Sequence, residues 1–339
     1  MWWRYIIPPM YGFVYLSICA STAPLKTAVI RLVWFTLTII ATAAFGYFLN
    51  DWSDIEQDAE AGKPNRVAGL SPQQRVGIAF LLLVCSWAPW IALPRNSTNM
   101  TFMVLQYVAF VSYSCPPFRL KERSQWGLIC DMLYGHLIPI VVTVATFNDD
   151  HSRLQSWTFY AFLLPWLVCK GLRNIATHQV NDRSKDRKAG VRTLVLKMGP
   201  LRTIKAINYV ILPLEILSLS ALLVLLATYH LPLYAGFIGF LIFTCLKFSI
   251  WRVPSLSIRK RWFKFLYFMN DFYEEWLPLT ALVVLAMARP ESLVLIAAHF
   301  CMFPWLIAKF RRDLVVIRTN VMPTRTHWLT FGATDRSIP

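Results

Sequence analysis

The chain has 339 residues, 56% of them hydrophobic, and a mean hydropathy of +0.47. That balance excludes an ordinary soluble domain, whose apolar share is smaller. Thirty-four Lys and Arg against 18 Asp and Glu give a net charge of +16. Such an excess can suit nucleic acid, but here the basic residues border apolar runs, so nucleic acid is set aside as a partner.

Apolar runs of roughly 17 to 25 residues, the length that crosses a hydrocarbon core, recur along the chain. In order they fall near 5–22, 28–49, 75–93, 99–115, 127–147, 155–172, 204–228, 232–251, 271–288 and 291–309. The expected fold class is therefore all-α: a polytopic membrane protein with about nine to ten transmembrane helices. Residues 1–310 form one membrane domain, and 311–339 a cytoplasmic tail. With the N-terminus inside, the inner segments hold 29 of the 34 basic residues. Outside remain only Lys26, Arg31, Arg95, Arg153 and Arg289. This asymmetry places both termini in the cytoplasm. Seven cysteines are scattered one per span and read as small buried apolar residues.

The second run ends in Asn50-Asp51-Trp52-Ser53-Asp54-Ile55-Glu56-Gln57-Asp58 and the sixth in Asn181-Asp182-Arg183-Ser184-Lys185-Asp186. If helical, each stretch puts two carboxylates four residues apart on one face, Asp54 with Asp58 and Asp182 with Asp186. Asn50 extends the first face by a turn. Both stretches fall at the cytoplasmic membrane surface. Two acidic faces there suit a hard divalent cation such as Mg²⁺, which takes a few protein oxygens and leaves room for substrate phosphates. Each motif is followed by a basic, glycine-containing run, 61–66 and 187–192. Span, span, acidic motif and basic loop thus occur twice, which predicts two four-helix pseudo-repeats around a central cavity.

A third polar segment follows the fourth run: Tyr113-Ser114-Cys115-Pro116-Pro117-Phe118-Arg119-Leu120-Lys121-Glu122-Arg123. Its double proline ends the helix and leaves three cations on the surface that carries the acidic motifs. Inside the fifth run, Asp131 and His136 are ionisable groups at membrane depth, which usually face a cavity or a partner. A hydrogen bond within the bundle is the default reading for them, and handling an acceptor is the alternative. Glu215 and the 271–276 cluster are read as helix-to-helix pairs.

At these residues the chain resembles the UbiA superfamily of intramembrane prenyltransferases. Asn50, Asp51, Asp54 and Asp58 match its N-D-x-x-D-x-x-x-D signature, Asp182 and Asp186 its D-x-x-x-D, and Tyr113 to Lys121 its proline-lysine loop. The resemblance implies a helical bundle, usually of nine spans, around a cavity open to lipid. It also implies an enzyme that ionises a polyprenyl diphosphate and transfers the prenyl group to a small hydrophobic or aromatic acceptor. Those four residues with Asp182 and Asp186 would hold Mg²⁺. Lys63, Arg66, Arg123, Arg183 and Lys188 would bind the diphosphate, with Lys121 placed best to neutralise it. Lys121, Tyr113 and His178, one turn before Asp182, are the candidate catalytic residues. Tyr113, Trp166, Phe268 and Tyr273 are alternative π faces for an allylic cation. Two other readings stand beside this one: a membrane terpene cyclase that uses the same metal motifs, and a membrane transporter or lipid-binding protein, which leaves the paired carboxylates unexplained.

Overall fold

The computed structural model describes residues 2–148, 156–188, 191–227, 231–249 and 268–321. A helix lies on each apolar run. In chain order they are α1 (Ile7–Ala20), α2 (Leu25–Ser53), α3 (Pro72–Trp87), α4 (Ser97–Ser114), α5 (Gln125–Phe147) and α6 (Trp157–Lys188). Then follow α7 (Pro200–Ala227), α8 (Leu231–Ser249), α9 (268–288), α10 (Leu293–Met302) and α11 (Trp305–Val321). Among the described residues no strand forms; a single parallel bridge joins Ser124 to Thr193.

By length and composition four of these helices, α2, α3 with its continuation to Ile91, α5 and α7, can cross a membrane. A fifth crossing is gained if Pro290–Met302 and Trp305–Val315 are one span, broken by a 79° bend. The break falls at Phe303-Pro304, where proline removes a helix hydrogen bond. The last apolar run is thus two short helices, and α11 passes through position 310.

The apolar composition of α1 on all sides follows from its position. Ile7 to Ile18 are all buried, and α1 packs on α5 and α9, as a helix enclosed by others must. Around it the neighbours run α3, α2, α4, α5, α6, α7, α8 and α9. Gly171 of α6 faces Met132 and His136 of α5 so closely that a Cβ would lie 2.4 Å from the Met132 side chain. Only glycine lets these two helices meet there.

The polar residues inside the second half of the bundle pair across helices. Arg173 of α6 makes a two-pronged bond to Glu215 of α7, at 2.6 and 2.9 Å, with both side chains fully buried. The Tyr273 hydroxyl donates to Glu215 at 2.6 Å, and Arg173 reaches Asn270 at 2.7 Å. Asp271 and Glu275 both bind Lys309 of α11. Helix-to-helix pairing is therefore what Glu215 and the 271–275 cluster do.

Candidate functional site

The end of α2 is shaped by its own backbone. The helix yields at Asp54 and resumes as Ile55–Glu60, with the Asp58 amide donating to the Asp54 carbonyl at 2.7 Å. This continuity keeps Asp54 and Asp58 one turn apart on one side. Gly62, in the left-handed region at φ +64°, then reverses the chain. Asn65 ties the returning loop down. Its amide donates to Asp58 Oδ2 at 2.9 Å and to the Asp51 carbonyl at 2.7 Å, while its own carbonyl accepts from the Val67 amide.

The segment after α4 folds over this end. Lys121 Nζ lies 2.5 Å from Asp54 Oδ1 and 3.1 Å from Asn50 Oδ1. Arg119, at a left-handed φ of 41°, reaches the same Asp54 oxygen at 2.7 Å. Arg119 also bonds the carbonyls of Ser53 and Ser114 and the side chains of Gln57 and Glu122. Gly127 permits the approach, because a Cβ there would come 2.6 Å from the Leu120 carbonyl oxygen. Burial holds the Lys121 ammonium below its ordinary pKa, although Asp54 pulls the other way. Burial pushes Glu122 up, but the bonds from Arg119 and Gln57 outweigh it and leave that carboxyl below its usual range.

The second motif lies on the last turns of α6. His178 Nδ1 sits 3.1 Å from Asp182 Oδ2, four residues on. The Ser124 amide donates to the Arg192 carbonyl at 2.8 Å, which joins the proline-lysine loop to the loop after α6.

These parts enclose one cavity of about 990 Å³. Asp54 and Asp58 line it from one motif, and Asp182 and Asp186 from the other. Lys63, Lys121, Arg123, Tyr113 and His178 are on its wall too. Of the other candidates, Asn50 meets the site through Lys121, and Asp51 lies behind the wall within electrostatic reach of Arg66, Asp54 and Asp58. Arg66 and Arg183 are exposed and off the wall, while the Lys188 side chain lies outside the described residues. Tyr113 is the aromatic candidate that faces the cavity. Trp166 and Tyr273 are buried against each other with Lys170 Nζ 5.9 and 5.3 Å from their ring centres, and Phe268 stacks on Phe240. The groups that position Asp54 and Asp58 are Arg119, one of the three cations after the double proline, with Gln57 and Asn65, which no motif marks. The only local signal for Arg119 was its place just after the double proline.

The donor set fits Mg²⁺ held jointly with a substrate. Among the described residues no three His, Cys, Asp or Glu side chains converge into a ready-made metal site. The carboxylates instead line two sides of one space, as Mg²⁺ requires when substrate phosphates and water complete its shell. The Asp54 carboxylate is meanwhile neutralised by two cations, a position that a bound divalent ion can take over.

The fold is thus a helical bundle, with helices apolar enough to span a membrane, in which two acidic helix ends and a basic loop line one cavity. Residues 10–272 match the UbiA prenyltransferase family, and the chain belongs to that family. It is 24% identical over 215 residues to a 4-hydroxybenzoate octaprenyltransferase of Pseudomonas fluorescens, covering 60% of this chain and 64% of the relative. The match thus spans a little under two thirds of that protein. It is 25% identical to the bacteriochlorophyll synthase 33 kDa chain of Cereibacter sphaeroides over 68% of this chain and 74% of that one. The fold is similar to a UbiA homologue from Archaeoglobus fulgidus solved with GPP and Mg²⁺, at a TM-score of 0.56 and 19% identity, over 84% of this chain and 96% of that one. The same homologue solved with DMAPP and Mg²⁺ gives a TM-score of 0.54.

Proposed function

We propose that this protein is an Mg²⁺-dependent intramembrane prenyltransferase. It ionises a polyprenyl diphosphate and passes the prenyl group to an aromatic acceptor. The observation that carries the reading is a shared cavity lined by Asp54, Asp58, Asp182 and Asp186 together with Lys63 and Lys121. The relatives' names and the GPP and DMAPP in the archaeal structures support it.

Asp54, Asp58, Asp182 and Asp186 would hold Mg²⁺, with Asn50 and Asp51 behind the first pair. The ion supplies charge neutralisation for the departing diphosphate. Lys121, released from Asp54, donates to the diphosphate oxygens, and Lys63 and Arg123 reach it from the rim. Arg66, Arg183 and Lys188 remain candidates for binding the diphosphate. The Tyr113 ring offers its π face to the allylic cation, and His178 holds Asp182 in orientation. The isoprenoid tail lies in the apolar interior on the bilayer side. The cavity and both termini are read as cytoplasmic, a reading that the excess of basic residues in the inner segments supports. The bundle is read as nine to ten spans in two pseudo-repeats, with a membrane domain to about residue 310 and a cytoplasmic tail beyond it.

The test is Mg²⁺-dependent release of diphosphate from geranyl, farnesyl and geranylgeranyl diphosphates by protein in lipid, with and without aromatic acceptors. Release only with an acceptor supports transfer. A cyclic hydrocarbon formed without one makes the protein a terpene cyclase. No release in either condition from folded protein removes the enzyme reading and leaves a transporter or lipid-binding role.

A further inference from the structure

Beyond the acidic motifs, the cavity wall carries Asp131, an anionic group that a diphosphate does not need. Asp131 lies on α5, partly buried, between Gly127 at the cavity rim and the buried His136. Tyr134, on the same helix, and Tyr113 lie within electrostatic reach of Asp131. The two tyrosine rings meet edge to face at 5.1 Å, and the Phe110 ring holds Tyr134 from the other side at 5.1 Å. His178, also on the wall, lies within electrostatic reach of Asp131. His178 precedes Asp182 by one turn, so Tyr113, Asp131 and His178 line the same cavity as the metal motifs. A π-helical turn, Leu133–Leu137, follows Asp131 directly. Such a register shift is frequent where a helix presents functional groups.

A carboxylate at this depth is costly unless it has work or a partner, and it repels a phosphate. What it accepts is a hydrogen-bond donor. We propose that Asp131, on the cavity wall with Tyr113 and His178, accepts the hydrogen bond and then the proton of a phenolic acceptor that has no carboxylate of its own. This rests on the prenyl-transfer reading above. The C1–O bond of the prenyl diphosphate breaks, and its electron pair leaves on the diphosphate. A ring carbon of the acceptor bonds to C1, driven by electron density from the phenol oxygen as its proton moves to Asp131. The proton on the substituted ring carbon then shifts to that oxygen and restores the phenol. The net proton remains on Asp131 until water in the cavity removes it. A carboxylated acceptor would set like charge against Asp131, a juxtaposition that proteins use to reject partners.

The experiment uses the full chain in lipid nanodiscs with Mg²⁺, geranyl diphosphate and two probes, hydroquinone and 4-hydroxybenzoate. The probes share a phenol and differ in the group opposite it, hydroxyl in one and carboxylate in the other. Hydroquinone is expected to be prenylated with a kcat/KM at least roughly tenfold above that of 4-hydroxybenzoate. Asp131→Asn should lower kcat with hydroquinone about 100-fold, the scale of one general base, and bring the two probes closer together. Mg²⁺-dependent binding of geranyl thiodiphosphate should stay unchanged in that variant. A purely structural role would slow both probes alike. Where Asp131→Asn does not fold, Tyr134→Phe keeps the ring packing and should still narrow the preference for hydroquinone. Unchanged turnover in both variants, preference for 4-hydroxybenzoate, or prenylation of neither probe by wild-type protein that binds the thiodiphosphate overturns the role of Asp131. Failure of wild-type protein to bind the thiodiphosphate with Mg²⁺ instead overturns the reading of the site, and this inference with it.

Discussion

Asp54 and Lys121, 67 residues apart in the chain, are joined by a 2.5 Å ion pair at the mouth of the cavity, and Arg119 shares the same carboxylate oxygen at 2.7 Å. Before any ligand arrives, protein cations thus occupy a carboxylate suited to a metal. In the proposed function, exchange of that partner for a divalent ion would free Lys121 for a diphosphate without leaving Asp54 uncompensated.

Asp54→Ala should therefore have two separable effects. Removing a charge that helps hold Mg²⁺ should cut Mg²⁺-dependent diphosphate release by about 1,000-fold or more, since each 1.36 kcal/mol of lost transition-state stabilisation is tenfold. Asp182→Ala should do the same from the opposite wall. In the absence of metal, Asp54→Ala should also destabilise the protein by about 1–2 kcal/mol, because Arg119 and Lys121 are left facing each other. Thermal unfolding in detergent with and without Mg²⁺ and geranyl diphosphate measures both. Release that survives either substitution would count against the metal assignment.

Arg119 is a structural clasp for the proline-lysine loop. It joins Ser53, Asp54 and Gln57 at the end of α2 to Ser114 and Glu122 on its own segment. Lysine cannot reproduce this fork of bonds. Arg119→Lys is expected to raise KM for the diphosphate roughly tenfold, equivalent to one lost charge-assisted hydrogen bond, and to expose residues 115–124 to limited proteolysis. Unaltered proteolysis and KM would assign the clasp to Lys121 alone.

The acidic faces were legible because they are local. A four-residue spacing within one helix is written in the sequence, as are the apolar runs on which the helices lie. Arg119 was not legible as a partner of Asp54, because its reach depends on a left-handed residue and a chain reversal far from α2. The choice among Tyr113, Trp166, Phe268 and Tyr273 was closed to sequence for a similar reason. Which of them line the cavity depends on tertiary packing, which puts Tyr113 on the wall and sets Lys170 against Trp166 and Tyr273 inside the bundle. The division of the last apolar run followed from one residue, Pro304, whose effect on direction depends on what packs at Phe303.

Lys121 should set the alkaline limit of activity. Its ammonium must be charged to receive a diphosphate, and burial lowers its pKa from the ordinary value. The charged form is present at low pH and is lost as pH rises through that lowered pKa. The high-pH limb of kcat/KM, which reports the free enzyme, is thus expected below the ordinary lysine value of about 10.4. Lys121→Arg keeps its charge throughout this range, so the limb should move upward even if the maximum rate falls. A limb that stays in place in this variant would show that another group titrates.

The buried Arg173–Glu215 pair should determine how firmly α6, and with it the second acidic motif, is held against α7. Both side chains are fully buried, and Glu215 also accepts from Tyr273. Glu215→Leu strands a guanidinium among apolar side chains and should cost about 3–5 kcal/mol of stability. The double change Arg173→Met with Glu215→Leu removes both charges. It should recover most of that loss, since a buried pair is often replaceable by apolar packing. Denaturation of the single and double variants in mixed micelles gives the coupling energy directly. If the double variant is as unstable as Glu215→Leu, the bonds to Asn270 and Tyr273, rather than the ion pair, are what fasten α6 in place.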